Sequence, residues 1–358
     1  MACAFMRAGF AVGIEETNGR RSSLLINEGG DRRCAMNVPM PRTLALTGAT
    51  GFIGAALLQR LLSAGWSVQA LCRSIPLPRR PHHGGELRWF RGSLDDPESL
   101  KRLVNGVTAV VHCAGAVRGA SAAQFNPVNV DGVARLVQAA GGLHPVPRFL
   151  LVSSLAAREP QLSPYAASKR GGEEVLQSEA RGMMWTVLRP TAVYGPGDRE
   201  TLPLVRCMQR GLAPVLGPGT SRFSLLYVED LADAVRHLLE LARWAPGPFE
   251  IHDGQEGGYR WEDLIRTVAH IIRKPVRKLR IPLGLLRFAA GVNLLGARLI
   301  GYQPMLTPGK VRELTHADWV CNDAPLRAAT GWKPRFTLEE GMHQTLQRLH
   351  DGGWTAER

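Results

Sequence analysis

Lysine is scarce in this chain: Lys101, Lys169, Lys274, Lys278, Lys310 and Lys333 are the only six among 44 basic residues, and the rest are arginine. Aromatic residues make up only 6%, and no RNA- or DNA-binding motif accompanies the formal charge of +13. A nucleic-acid partner is therefore not expected, because such binders concentrate charge with stacking rings. Cysteine is sparse too. Cys3, Cys34, Cys72, Cys113, Cys207 and Cys321 are scattered, with no CxxC pair. That pattern excludes a disulfide framework and a zinc site, and reads as free thiols in a reducing, cytoplasmic setting. The early apolar run Ala8 to Ile14 is ended by Glu15 and Glu16, which is too short to span a bilayer. No internal repeat or low-complexity run is present. With 45% hydrophobic and 21% charged residues over 358 positions, the chain is globular and long enough to bury a substantial core.

Residues 1–39 hold no sustained period of 2 or 3.6, which predicts an unstructured leader. From 43 onward apolar strands and helices alternate. Strands are predicted at 43–47, 67–72, 87–90, 109–113, 149–152 and 186–188, and helices at 52–64 and 133–140. Strands separated by helices imply right-handed crossovers, hence an α/β fold with a doubly wound parallel sheet. Beyond about 196 proline becomes frequent and shorter helices follow at 230–241, 261–272 and 338–349. The predicted layout is a dinucleotide-binding Rossmann domain over 40–250. A smaller C-terminal substrate lobe over 251–358 also takes parts of 196–225.

Gly48-Ala-Thr50-Gly51-Phe52-Ile53-Gly54 lies between the first strand and its helix. Gly48 permits the tight turn, Gly51 lets backbone approach a pyrophosphate, and Gly54 allows close strand–helix packing; the helix N-terminus then presents N–H groups to the phosphates. Sites that prefer NAD end the second strand with a carboxylate. Here Leu71-Cys72-Arg73 offers an arginine instead, where a ribose 2′-phosphate would sit, so NADP is expected to be preferred and NAD remains an option. Tyr165 and Lys169 are one helical turn apart, just after Ser153-Ser154 closes the fifth strand. An ammonium beside a phenol favours phenolate, so the tyrosine can exchange a proton, while a serine hydroxyl holds a carbonyl oxygen. His112 is expected to pack at a strand end rather than bind metal or act as a base.

Taken in order, the motifs resemble the extended short-chain dehydrogenase/reductases, the NAD-dependent epimerase/dehydratase superfamily, over about 42–350. They are 47–54, His112-Cys-Ala-Gly115, Asn129-Val-Asp-Gly132, Val152-Ser-Ser154, Tyr165 with Lys169, Arg189 to Gly197 and Tyr227-Val-Glu-Asp230. The resemblance implies that Tyr165 is the general acid/base, Lys169 tunes it and binds the nicotinamide ribose, and Ser154 orients the substrate oxygen. It further implies that Ala114 and Gly115 line the cofactor, that Leu94 flanks it, and that Pro190 to Val193 approach the carboxamide. Two departures stand out: Ser93 replaces an adenine-contacting Asp, and Arg222-Phe-Ser replaces the Arg-Asp common in sugar-nucleotide epimerases. The C-terminal lobe (Ile281-Pro-Leu, Leu306-Thr-Pro308, Gly331-Trp-Lys-Pro334) resembles the hydroxysteroid-dehydrogenase-like branch. Hydride transfer to or from a hydrophobic ketone or secondary alcohol is therefore implied. A nucleotide-sugar epimerase or dehydratase is the alternative, and a non-catalytic cofactor-binding scaffold a weaker one. The oligomeric state is open, a homodimer among the options.

Residues 271–335 carry 12 basic and 3 acidic residues. Within them, 281–302 approaches the length of a membrane span but contains Pro282, Arg287 and Arg298. Two readings remain open: a helix lying in the interface of an anionic membrane, or a buried lid over the substrate pocket.

Overall fold

The structure, a computed structural model, describes residues 42–76, 84–217 and 219–351, together with the backbone of three strands nearer the N-terminus. These strands are Phe10–Thr17, Arg20–Asn27 and Arg32–Arg33. The first two pair antiparallel from Phe10 opposite Asn27 to Thr17 opposite Arg20, and the third adds to the second. Three strands thus fall within the leader expected to be unstructured; the rest of 1–41 lies outside the described residues. β-Branched positions such as Val12, Ile14 and Ile26 favour extended backbone.

Residues 43–358 form a separate compact unit. Its sheet has seven strands: β1 (Thr43–Thr47), β2 (Ser67–Cys72), β3 (Leu87–Arg91), β4 (Ala109–His112), β5 (Arg148–Val152), β6 (Trp185–Pro190) and β7 (Phe249–Ile251). All neighbours pair parallel, in the spatial order β7-β6-β5-β4-β1-β2-β3. This is the doubly wound Rossmann arrangement that the alternation predicted. Chain direction across the sheet reverses between β1 and β4, where such sheets open a crevice at the strands' carboxyl ends.

The helices are α1 (Phe52–Ser63), α2 (Pro97–Val104), α3 (Ala122–Asn129), α4 (Asp131–Gly141), α5 (Pro164–Glu179), α6 (Leu202–Gln209), α7 (Val228–Glu240), α8 (Trp261–Ile272), α9 (Leu283–Ile300), α10 (Pro308–Leu314), α11 (Ala324–Thr330) and α12 (Leu338–His350). Successive strand residues point to opposite faces. Leu44 and Leu46 therefore pack with Leu57 and Leu61 of α1 and Val235 and Leu238 of α7, all buried. Ala45 faces the other layer, with Leu103, Leu136 and Leu176 of α2, α4 and α5. The lobe has its own core of Tyr194, Tyr227, Val268, Met342 and Leu346. Asp230 ties that lobe to α7, accepting from the backbone N–H groups of Arg335 and Phe336 at 2.9 and 3.1 Å.

Candidate active site

The loop after β1 closes on itself through Gly51 N–H donating to the Gly48 carbonyl at 2.9 Å. Gly48 sits at φ +74°, and a Cβ there would come 2.6 Å from the Ala114 nitrogen of the facing β4 loop. A Cβ on Gly54 would lie 2.0 Å from the Gly48 oxygen. Glycine is therefore required sterically at both positions. Gly51 is the N-cap of α1, and no side chain caps that end. Thr50 and Gly51 are exposed, Phe52 and Ile53 half-buried. Uncapped N–H groups at the mouth of the β1–β4 crevice fit the diphosphate of a dinucleotide.

Across the crevice, Thr47 Oγ1 lies 2.7 Å from His112 Nδ1 and accepts from the Ala114 N–H at 3.3 Å. Burial, aided by the positive Lys169, pushes the His112 pKa down to about 3, so its ring is neutral. It packs at the strand end, as expected. Burial also pushes the Cys113 thiol up to about 12, which makes it inert as a nucleophile. A Cβ on exposed Gly115 would fall 3.3 Å from both Asn129 Oδ1 and Lys169 Nζ, placing the lysine beside the loop that follows β4.

α5 begins with Ser163, whose Oγ accepts from Ala166 N–H, followed by Pro164, a strong N-terminal signal. Asn129 then fixes its first turn. The Asn129 amide grips both backbone groups of Ala116, at 2.8 and 3.0 Å, and donates to Ser168 Oγ at 2.9 Å. Ser168 in turn donates to the Tyr165 carbonyl at 2.7 Å. Lys169 is buried, with Nζ donating to the Val152 carbonyl at 3.2 Å. Asn129 belongs to the Asn129-Val-Asp-Gly132 motif, whose spacing alone assigns it no role.

The two serines after β5 differ. Ser153 is buried and donates to Glu173 at 2.5 Å; Glu173 is itself paired with buried Arg189. Ser154 is half-buried, and its Oγ accepts from Ala156 N–H at 3.2 Å, which leaves its own hydrogen available. Tyr165, half-buried, meets Phe125 edge-on with centroids 5.8 Å apart. It faces a pocket lined also by Val117, Met305, Thr307 and Lys310. Lys310 Nζ lies 5.6 Å from the Tyr165 ring centre and donates to Glu313 at 2.8 Å. Burial opposes its charge, yet Glu313, with help from Tyr165 and Glu200, holds its pKa above the usual lysine value. Met305 and Lys310 carry no motif of their own, so periodicity and spacing gave no way to find them.

Farther out, exposed Arg73 follows β2, and no carboxylate occupies the end of that strand. Leu94 is half-buried, its carbonyl accepting from Arg135 at 3.3 Å. Pro190 is buried at the end of β6, while Val193 is half-buried on the short strand Ala192–Tyr194. Among the described residues no group of His, Cys, Asp and Glu could hold a metal ion.

Residues 44–251 match the profile of the NAD dependent epimerase/dehydratase family. A ceramide reductase of Caulobacter vibrioides is 37% identical, over 87% of this chain and 95% of its own length. A 2-alkyl-3-oxoalkanoate reductase of Stenotrophomonas maltophilia is 27% identical, over 84% and 97%. Among solved structures, UDP-glucose 4-epimerase of Thermotoga maritima superposes with a TM-score of 0.67 at 21% identity, over 87% of this chain and 99% of that one.

Proposed function

Because the chain belongs to the NAD dependent epimerase/dehydratase family, we propose that it works as a nicotinamide-dependent oxidoreductase on a ketone or secondary alcohol of a lipid-like molecule. The observation that carries this reading is the setting of Tyr165. Its ring borders a pocket with Val117, Phe125 and Met305 in the wall, while Lys169 stands one turn further along α5 beside the cofactor loop. The two relatives named for a ceramide and a 2-alkyl-3-oxoalkanoate support an apolar substrate.

In the reductive direction a bound nicotinamide would supply a hydride to the carbonyl carbon. Tyr165 Oη gives its proton to the carbonyl oxygen, and Ser154 Oγ–H donates a hydrogen bond to the same oxygen. Lys169 stabilises the phenolate left behind. Gly48 to Gly54 would hold the phosphates, while Ala114, Gly115, Leu94 and Val193 would border the rest of the dinucleotide. Exposed Arg73 and the missing carboxylate after β2 support tighter binding of NADP(H) than of NAD(H), because a guanidinium suits a 2′-phosphate. Arg73→Ala should erode that preference, and a wild-type protein that binds NAD(H) better would reverse it.

The test follows nicotinamide absorbance with long-chain 3-keto lipids and, in parallel, nucleotide sugars. Tyr165→Phe should lower lipid turnover by about 100-fold or more with nucleotide affinity unchanged. Conversion of a nucleotide sugar with no net change in nicotinamide absorbance would replace this reading by the epimerase one.

A further inference from the structure

One helix of the lobe is held by a single narrow face. α9 packs through Leu286 and Ala290 against Val311 and its neighbours Leu216, Ile281 and Leu306. On the opposite side Leu285, Phe288, Val292, Leu295 and Leu299 are exposed, Phe288 by 71% and Leu299 by 78%. Their spacing of three and four residues aligns them in one stripe along the helix. A buried lid would turn such side chains inward, so the lid reading of this segment is not met.

The charge in the sequence flanking the stripe is of one sign. Between Asp263 and Glu313 the sequence contains ten Lys and Arg residues and no Asp or Glu. All four residues of the strand Arg277–Arg280 are exposed. Lys278 pairs with Glu262, whereas Arg273, Lys274, Arg277, Arg280, Arg287 and Arg298 make no ion pair with a described residue. Arg287 and Arg298 flank the stripe on the same side, about 100° around the helix from its centre. Their aliphatic stems can lie along an apolar layer while the guanidinium groups stay in water or headgroups.

We propose that α9 docks this protein on an anionic lipid bilayer, lying in the interface with the 285–299 stripe inserted and the cations at the headgroups. A second copy of the chain fits the stripe poorly, because it would bring the same cations together with no carboxylate to answer them. Spanning fits poorly as well, since Leu286 and Ala290 are committed to the lobe. From Gly301 the chain runs to Pro304, whose carbonyl accepts from Gly119 N–H at 3.1 Å, and on to Met305 and Thr307 in the pocket wall. The docked helix is thus only a few residues from the pocket beside Tyr165. The proposal stands apart from the hydride-transfer reading, and its readout is lipid binding alone.

The full-length protein is sedimented with vesicles of mixed phosphatidylglycerol and phosphatidylcholine, and of phosphatidylcholine alone, across a salt series. Each cation near an anionic surface strengthens adsorption roughly 5-fold. Arg277→Glu with Arg280→Glu should therefore weaken binding at least about 10-fold. Phe288→Ser with Leu295→Ser should weaken it comparably, with melting temperature and nucleotide affinity unchanged. The wild-type salt series needs no variant: bound protein should fall as salt rises. Equal binding to neutral vesicles, or none to anionic ones, overturns the proposal. So does a lipid-free dimer that Phe288→Ser with Leu295→Ser converts to monomer without any vesicle binding, which would make a second copy the occupant.

Discussion

Replacing Gly54 by alanine tests the tightest contact in the glycine loop after β1. The added Cβ would lie 2.0 Å from the Gly48 oxygen, and 3.0 Å is about the least that real Cβ atoms show. The turn must therefore open by at least 1.0 Å, against backbone and not against a flexible side-chain end. Overpacking of this kind costs about 1–3 kcal/mol. Alanine's better helix propensity returns at most about 1 kcal/mol. Steric strain should win, lowering the melting temperature by roughly 2–8 °C in a protein of this size. Moving the uncapped N–H groups by an ångström should also weaken one or two phosphate hydrogen bonds, for a loss in nucleotide affinity of about 10- to 100-fold. Gly51→Ala is the counterpart. Its φ is −84° and its Cβ would meet only the Gly48 oxygen, at 3.3 Å. It should melt within about 1–2 °C of wild type, yet on the proposed reading it adds a methyl group where the backbone approaches the diphosphate. Thermal melts and calorimetric titration with the dinucleotide separate the two effects. A Gly54→Ala protein that melts and binds like wild type would refute the steric reasoning, as would equal destabilisation by both substitutions.

His112 gives a pH signature. Its folded pKa of about 3 lies below the ordinary 6.5, so below pH 6.5 the unfolded chain takes up a proton that the folded one refuses. Stability should fall from this group alone by up to about 1.4 kcal/mol per pH unit between pH 6.5 and 3. His112→Asn cannot titrate, and denaturant melts should show a flatter dependence over that window; parallel curves would count against it. Glu173→Gln leaves the buried Arg189 guanidinium without its carboxylate and should cost about 3–5 kcal/mol in denaturant unfolding, whereas a loss under 1 kcal/mol would mean that water or another group takes over.

The parts of the site legible in the sequence were those whose chemistry depends on local spacing. The glycine loop announces itself because strand, turn and helix periods meet there, and Tyr165 and Lys169 because one helical turn separates them. Ser153 and Ser154 are indistinguishable by type. Only burial and the Glu173–Arg189 pair show which hydroxyl is committed to structure. α3 escaped notice because Pro127 lies inside it and its apolar positions show little periodicity. Met305 and Lys310 reach Tyr165 from a segment remote in sequence, through tertiary packing that no local pattern encodes. The alternatives for 281–302 were separable only by exposure, which depends on what the lobe sets against α9.

Tyr165, the proton donor in the proposed reaction, and the wall it faces belong to different parts of the chain. Tyr165 is anchored to the sheet side through Asn129 and Ser168, whereas Met305, Thr307 and Lys310 arrive on the stretch that follows α9. Exchange of residues 301–310 could therefore retune which molecule is accepted while the acid keeps its anchorage. A scaffold divided in this way gives an engineer, or natural variation, a replaceable specificity cassette beside a conserved reaction chemistry.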